Sequence, residues 1–424
     1  MLKNCLWAAG LACSLLRLDG VEAQTLASGL GVQPVEEPEL VALVRGTLDR
    51  HPQVLAAMAN LDARGALEDA ADRPLFNPEL ETSFVNSDTN DRVIALRQTI
   101  DRAGRRVART MVAERERETA ATQLAIDRRD IAVELLSTLA DYWTARDLVT
   151  LGELRADLAQ RFADMARQRF EAGDLVPQSR LNVAQLAYSQ TRILQAGANA
   201  DLAAAEQLLR ALTLRGAGEG WPSLPTELPE IRPSAEQLDN LIADAPAVRI
   251  QQDRLAVAEA NVELRDRERR ANPTLSIVGG EEEDESMVGL SISMPLNFRN
   301  RYTYEVAAAS AQRLAVEREL ANVTTRARAR LQAAARRYQL IHQAWTEWGD
   351  VGEMNLSRQM ELLERLWRAG ELGLTEYLVQ LNQTVETQAS ALRLRRDLWL
   401  AWFEWLAAAG EVGTWLDLPV EELP

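Results

Sequence analysis

Few side chains in this sequence can do acid–base, nucleophilic or metal chemistry, and their spacing does not combine them. His51 and His342 are its only two histidines. Neither sits in a His-Glu-x-x-His pattern, which would set two imidazoles one helical turn apart on a zinc ion. The two cysteines, Cys5 and Cys13, both lie in the apolar N-terminal stretch. Gly29-Leu30-Gly31 and Gly216-Ala217-Gly218-Glu219-Gly220 are glycine clusters without a strand before them and a phosphate-binding helix after. The densest run of ligating groups is Glu281-Glu282-Glu283-Asp284-Glu285. Carboxylate oxygens at that density can hold a hard cation weakly, and a solvated loop has the same composition. No catalytic constellation results, so the sequence is read as that of a non-enzyme without cofactors.

The chain has 424 residues with 47 Lys+Arg against 63 Asp+Glu, a formal net charge of −16. Such a balance argues against nucleic acid, whose phosphates call for a basic stripe. After the N-terminus no apolar run approaches the ~20 residues of a transmembrane helix. A membrane β-barrel escapes that test, because its strands alternate apolar and polar side chains. Met1 to Asn4 carries the charge of Lys3, Leu6 to Leu16 is apolar, and Val21-Glu22-Ala23 offers small residues for a peptidase. The expectation is a secretory signal peptide over 1–23, with a mature chain free of cysteine. Leu11-Ala12-Cys13 leaves lipidation at Cys13 open.

The sequence is also written twice. His51-Pro52-Gln53-Val54 and Ala245-Pro246-Ala247-Val248 open helical stretches that end at Asn77-Pro78 and Asn272-Pro273. Phe170-Glu171-Ala172-Gly173-Asp174-Leu175 matches Trp367-Arg368-Ala369-Gly370-Glu371-Leu372, and Gly152 matches Gly349. Matching signals in matching order indicate duplication. The expected division is a first repeat over 24–214, a Gly- and Pro-rich linker over 215–234, a second repeat over 235–412 and a tail over 413–424. Each repeat begins with a helix, Glu39 to Asp72 and then Ala235 to Arg270. Two short strands and a very long coiled-coil-like helical run follow. No proline interrupts Pro78 to Pro177 or Pro295 to Pro419. Arg105 to Phe170 as one rod would reach ~100 Å. The duplicated mid-rod Gly152 and Gly349 suggest a bend or a close helix contact. Trp345, Trp348, Trp399, Trp402 and Trp405 are expected in core or belt packing at mid-tunnel rather than in a ligand cage.

After each Asn-Pro the period changes to two. Val288, Leu290, Ile292 and Met294 alternate with Gly289, Ser291 and Ser293, and Leu275 and Ile277 alternate with Thr274 and Ser276. Ile94 and Leu96 alternate with Ala95 and Arg97, and Leu80 and Phe84 flank Glu81 and Ser83. Strands of ~9–11 residues cross a bilayer when tilted. Leu80, Leu275, Ile277, Val288, Leu290 and Ile292 are the expected lipid-facing set. Phe76, Phe298, Tyr302 and Tyr304 stand where an aromatic girdle would lie. In lipid every backbone N–H and C=O must be paired, so a sheet must close on itself. One chain offers four strands, too few to close. Two copies would give eight and a filled interior; three would give twelve and a lumen. The rival is a soluble periplasmic coiled-coil structural protein with two decorative hairpins.

The order of elements, the duplication, the Asn-Pro entries and the Ala-Gly-acidic-Leu turns resemble the TolC family of outer-membrane efflux proteins. The short outer loops and compact size are most similar to its heavy-metal branch. The resemblance covers nearly all of the mature chain. It implies a mainly α fold with a small membrane β part: a long α-helical tunnel plus a trimeric 12-stranded β-barrel, four strands per chain. It implies an outer-membrane channel reaching into the periplasm, a passive homotrimeric conduit for solutes, with metal cations as one possibility. Implied partners are a periplasmic adaptor, a proton-driven inner-membrane pump and outer-membrane lipid. The same fold serving type I protein secretion is the alternative.

By the same resemblance, the turns at Gly173, Asp174, Leu175 and Gly370, Glu371, Leu372 contact the adaptor and form the iris that closes the tunnel. Glycine at such a place is also the ordinary way to stop a helix. Glu376 falls where the family often has an acidic residue facing the lumen, and three copies would make a negative ring. The first repeat has Ser179 and Arg180 there, and the family's further acidic position is Val379 here. Arg180 is a second gate candidate, able to pair with Glu376 or Glu371.

Overall fold

The computed structural model describes residues 32–86, 90–172, 178–216, 220–282, 285–369 and 371–418. The signal-peptide and Cys13 expectations lie outside them. In chain order the elements are α1 (Pro38–Leu48), α2 (Pro52–Ala71), β1 (Glu79–Asn86), β2 (Asn90–Thr99), α3 (Arg105–Glu171) and α4 (Gln178–Thr213). The same series then recurs as α5 (Ala235–Asp244), α6 (Pro246–Glu268), β3 (Thr274–Glu282), β4 (Glu285–Ser293), α7 (Thr303–Arg368) and α8 (Leu374–Ala409). A short α9 (Val412–Trp415) follows.

The helices expected over Glu39–Asp72 and Ala235–Arg270 are each two helices. His51 and Ala245 precede Pro52 and Pro246 and hold extended ψ values of 127° and 130°. The proline ring clashes with a helical residue before it, so one helix must end there and another begin. Proline then suits the first turn, where no N–H is needed.

The long rods hold 67 residues in α3 and 66 in α7, each ~100 Å at 1.5 Å per residue. Beside the sheet, α2 packs on α3, α3 on α6, and α6 on α7. Farther away, α4 packs on α3, α3 on α8, and α8 on α7. The protomer is therefore a wall of four columns: α2 with α4, then α3, then α6 with α8, then α7. This column order repeats the strand order β1-β2-β3-β4 of the single antiparallel sheet. The same two margins are open throughout, β1 with α2 and α4 on one side and β4 with α7 on the other.

Two apolar cores hold the columns together. The larger contains the fully buried Trp402, Trp405, Phe403 and Tyr338 with Leu135, Leu136 and Leu139 of α3. Trp399 is buried there and Trp345 packs against it. Residues 220–234 run across this core as an extended strap. Its prolines deprive it of backbone partners, and side chains supply them. Trp143 Nε1 donates to the Pro222 carbonyl at 2.9 Å, Trp399 Nε1 to Pro225 at 3.3 Å, Tyr338 OH to Pro229 at 2.7 Å and Gln339 Nε2 to Ile231 at 3.2 Å. Burial pushes the Tyr338 hydroxyl pKa up, which keeps it a donor. The smaller core joins the far ends of α3, α4, α7 and α8 around Phe162, Leu181, Leu363, Tyr377 and Leu381.

Candidate functional site

The ladder decides which side chains share a face. Leu80 opposes Leu96, Leu96 opposes Ile277, and Ile277 opposes Leu290. The next row is Thr82, Ile94, Gly279 and Val288, and the other neighbouring row includes Gln98, Leu275 and Ile292. All six residues expected to meet lipid thus lie on one face, joined by Ile94, Leu96 and Phe84, which the sequence-derived set leaves out. Leu290 is 75 % exposed and Ile292 77 %. Arg92, beside Phe84 at the loop end, and Glu281 opposite it are the charged members of this face among the described residues.

The opposite face is polar. Arg97 and Glu81 form an ion pair there, and the Thr99 and Thr274 hydroxyls hydrogen-bond at 2.8 Å. Ser276 is buried, as is the small Ala95. A Cβ on Gly280 would overlap the Arg92 carbonyl oxygen and lie 3.0 Å from Val93 Cα, so glycine there lets β2 and β3 approach. An apolar face backed by a polar one separates a hydrocarbon environment from an aqueous one.

Where sheet becomes rod, Asp101 caps α3. Its Oδ1 accepts from Arg105 N at 3.0 Å and its Oδ2 from Arg106 N at 2.8 Å. Asn272 Oδ1 accepts from Ala103 N at 3.1 Å, tying the second Asn-Pro entry to the first repeat. Burial works against the Asp101 carboxylate. The amides of Arg106 and Arg105, the Asn272 side chain and the Arg105 charge outweigh it and hold the pKa below the usual carboxylate value. Gly104 makes the left-handed turn into α3 at φ 69°, and Tyr302 makes the equivalent turn into α7 at φ 54°.

At the far end, Gly173, Asp174, Leu175 and Gly370 lie outside the described residues. The Glu371 N–H donates across position 370 to the Leu366 carbonyl at 3.0 Å, the bond that closes a Schellman turn. Glu371 is exposed, while Leu372 is half-buried against the smaller core. Glu376 is exposed in the first turn of α8, where its charge suits the helix N-terminus, and Gln380 Nε2 reaches its Oε1 at 3.5 Å. Val379 is 59 % exposed. Arg180 opens α4, but its side chain is outside the described set.

The duplicated mid-rod glycines differ. A Cβ on Gly152 would overlap Gln195 Oε1 of α4, whereas one on Gly349 would meet open space. Between α3, α4 and α8 this region encloses a groove of about 790 Å³ lined by Thr144, Gly152, Arg155, Gln195 and Glu386. Among the described residues no three His, Cys, Asp or Glu side chains gather as a metal site requires. No described helix is long and apolar enough to cross a membrane.

Residues 43–213, the greater part of the first repeat, match the family model described as outer membrane efflux protein. The cobalt-zinc-cadmium resistance protein CzcC of Cupriavidus metallidurans is 29% identical over 261 residues. That alignment takes in 58% of this chain and 60% of the relative, about three fifths of its length. Among solved structures, CusC superposes with a TM-score of 0.75 at 13% identity, covering 91% of this chain and 95% of that one. The Campylobacter jejuni CmeC outer membrane channel gives 0.76 at 12% identity, with 93% and 91% covered. The open state of the Neisseria gonorrhoeae MtrE outer membrane channel gives 0.70 at 15% identity, with 90% and 93% covered. These likenesses are of fold, and they span both repeats where the family model spans one. Over residues 43–213 the chain is thus similar to the outer membrane efflux proteins, and the likeness of fold extends over both repeats.

Proposed function

We propose that the chain is the outer-membrane channel of a tripartite efflux system, a passive duct built from three copies. The observation that carries this reading is the coincidence of open margins. The sheet and the four-column wall end on the same two sides, and the apolar face of the sheet is continuous across all four strands. Unpaired strand edges are not tolerated in hydrocarbon. Three copies joined edge to edge give a twelve-stranded barrel with a lumen, and their columns give a twelve-column tunnel on the periplasmic side. The polar face of each sheet then lines the lumen, and solutes pass without chemistry.

The tips at Gly173, Asp174, Leu175, Gly370, Glu371 and Leu372 meet a periplasmic adaptor, which links the duct to a proton-driven inner-membrane pump. Because Leu372 already packs on its own core, Glu371 is the more available contact on the second turn. Glu376 and Arg180 are the candidates for tuning the closed end. The cargo reading rests on CzcC, a relative named for cobalt, zinc and cadmium resistance. Deleting the gene should sensitise cells to these cations, and the wild-type chain should restore resistance. The Gly173→Val/Gly370→Val double variant should reach the outer membrane as trimers and fail to restore it. Unchanged cation tolerance with loss of an exported protein would move the assignment to secretion.

A further inference from the structure

The passage from β4 to α7 is unlike its counterpart in the first repeat. Between β2 and α3 the chain is short and clamped by Asp101 and Asn272. Between β4 and α7 it is longer and turns at Tyr302, a bulky residue in the left-handed region, which costs about 1–2 kcal/mol. Leu296 and Phe298 are each 71 % exposed along it, and Tyr304 in the first turn of α7 is 86 % exposed. Arg299 and Arg301 stand exposed between them, and among the described residues neither has an ion-pair or hydrogen-bond partner. Arg73 at the α2–β1 junction and Arg102 at the β2–α3 junction are exposed and unpaired in the same way among the described residues. The neighbouring carboxylates are mostly engaged: Asp72 by Arg106, Asp266 by Arg269 and Arg270, and Glu268 by Arg265. Glu79 and Glu305 are the free ones among the described residues. In a chain of net charge −16 this belt of bare arginines is local and against the average.

We propose that the β4–α7 loop is a docking surface for anionic phospholipid headgroups, with Leu296, Phe298 and Tyr304 seated at the hydrocarbon boundary and Arg299 and Arg301 on lipid phosphate. This rests on the membrane reading above. The loop continues directly from the apolar row of Val288, Leu290 and Ile292. Aromatic side chains favour the boundary between hydrocarbon and headgroups, and a guanidinium binds phosphate through paired N–H bonds. The rival occupant is a second copy of the chain. Closing the wall sets this loop beside the next copy's α2–β1 segment, whose free charges are Arg73 and Glu79. With Glu305 in the first turn of α7 that leaves three arginines against two carboxylates there, still a net positive charge, so an anion from outside the protein is the better complement.

The test uses the full-length trimer purified from outer membranes in detergent. It is reconstituted into vesicles of phosphatidylcholine alone or mixed with phosphatidylglycerol, and retained lipid is counted by native mass spectrometry. The wild type should retain phosphatidylglycerol selectively, in a salt-sensitive way. Arg299→Gln and Arg301→Gln should each weaken retention about fivefold while trimers persist. Equal retention of both lipids by wild type and variants would overturn the lipid site and leave the channel reading intact. Displacement by millimolar inorganic phosphate would make it a free-anion site instead. Loss of trimers in either lipid would assign the loop to the neighbouring copy. Failure of the wild type to insert into any vesicle would defeat the membrane reading itself.

Discussion

Leu290 and Ser291 are adjacent in β4 and point to opposite faces, which makes them a matched pair for testing the membrane orientation. Leu290 sits in the row with Ile277, Leu96 and Leu80, three residues from the rod end of its strand. At ~3.3 Å per residue and a tilt of ~45°, that places it ~7 Å inside the apolar band. An arginine costs about 2–4 kcal/mol at the bilayer midplane and less toward the interfaces, so about 2 kcal/mol per copy is expected for Leu290→Arg. Three copies raise the assembled penalty to about 6 kcal/mol, comparable to the whole stability of an ordinary domain. Ser291→Arg puts the same charge into the aqueous face and should cost little. Outer-membrane fractions run on gels without heating would show Leu290→Arg depleted of trimer and Ser291→Arg close to wild type. Equal assembly of both variants, or selective damage by Ser291→Arg, would refute the facing derived from the ladder.

Gly280→Ala should separate β2 from β3 and lower the denaturation temperature of the assembled protein by an amount equivalent to about 1–3 kcal/mol. Gly279→Ala, whose Cβ would have its nearest neighbour at 3.8 Å, is the near-neutral control. Tyr338→Phe leaves the Pro229 carbonyl without its donor and should cost about 1–3 kcal/mol in thermal melts. Asp101→Asn removes a charged cap worth about 0.5–2 kcal/mol. The folded pKa of Asp101 lies below its unfolded value, so its contribution is complete above the ordinary carboxylate range and fades as pH falls through the depressed value. Melts from neutral to acidic pH should show the wild type converging on Asp101→Asn at the acid end; a difference constant with pH would contradict that role.

The strands were the most legible part of the chain, because a period of two assigns faces without any knowledge of partners. Val288, Leu290 and Ile292 share a face from β4 alone, and hydropathy joins Leu80 to the same expected set; the cross-strand register adds Ile94, Leu96 and Phe84. The breaks at His51 and Ala245 carried a visible signal in the prolines that follow. Gly280 carried one too, since a glycine inside a strand marks close backbone approach. Other features had none. Asn272 reaches Ala103 across 169 residues, and the donors that hold the 220–234 strap come from three helices. Such pairings depend on tertiary placement that no local pattern encodes. Gly152 and Gly349 looked alike in sequence, yet α4 presses on the first and open space meets the second. Leu372 shows the same limit, since an apolar residue after a turn can face outward or fold back on its own core.

The central claim is closure by three copies through β1 and β4, and disulfide linking across that seam reads it directly. With Cys5 and Cys13 both in the segment expected to be removed, single cysteines introduced along β1 and β4 would be the only thiols of the mature chain. Membranes carrying a β1–β4 cysteine pair in register should, on oxidation, give a covalent ladder that stops at three chains, from a trimer that conducts ions in a planar bilayer. A ladder that continues past three, or a chain that stays monomeric and soluble without detergent, would contradict the account.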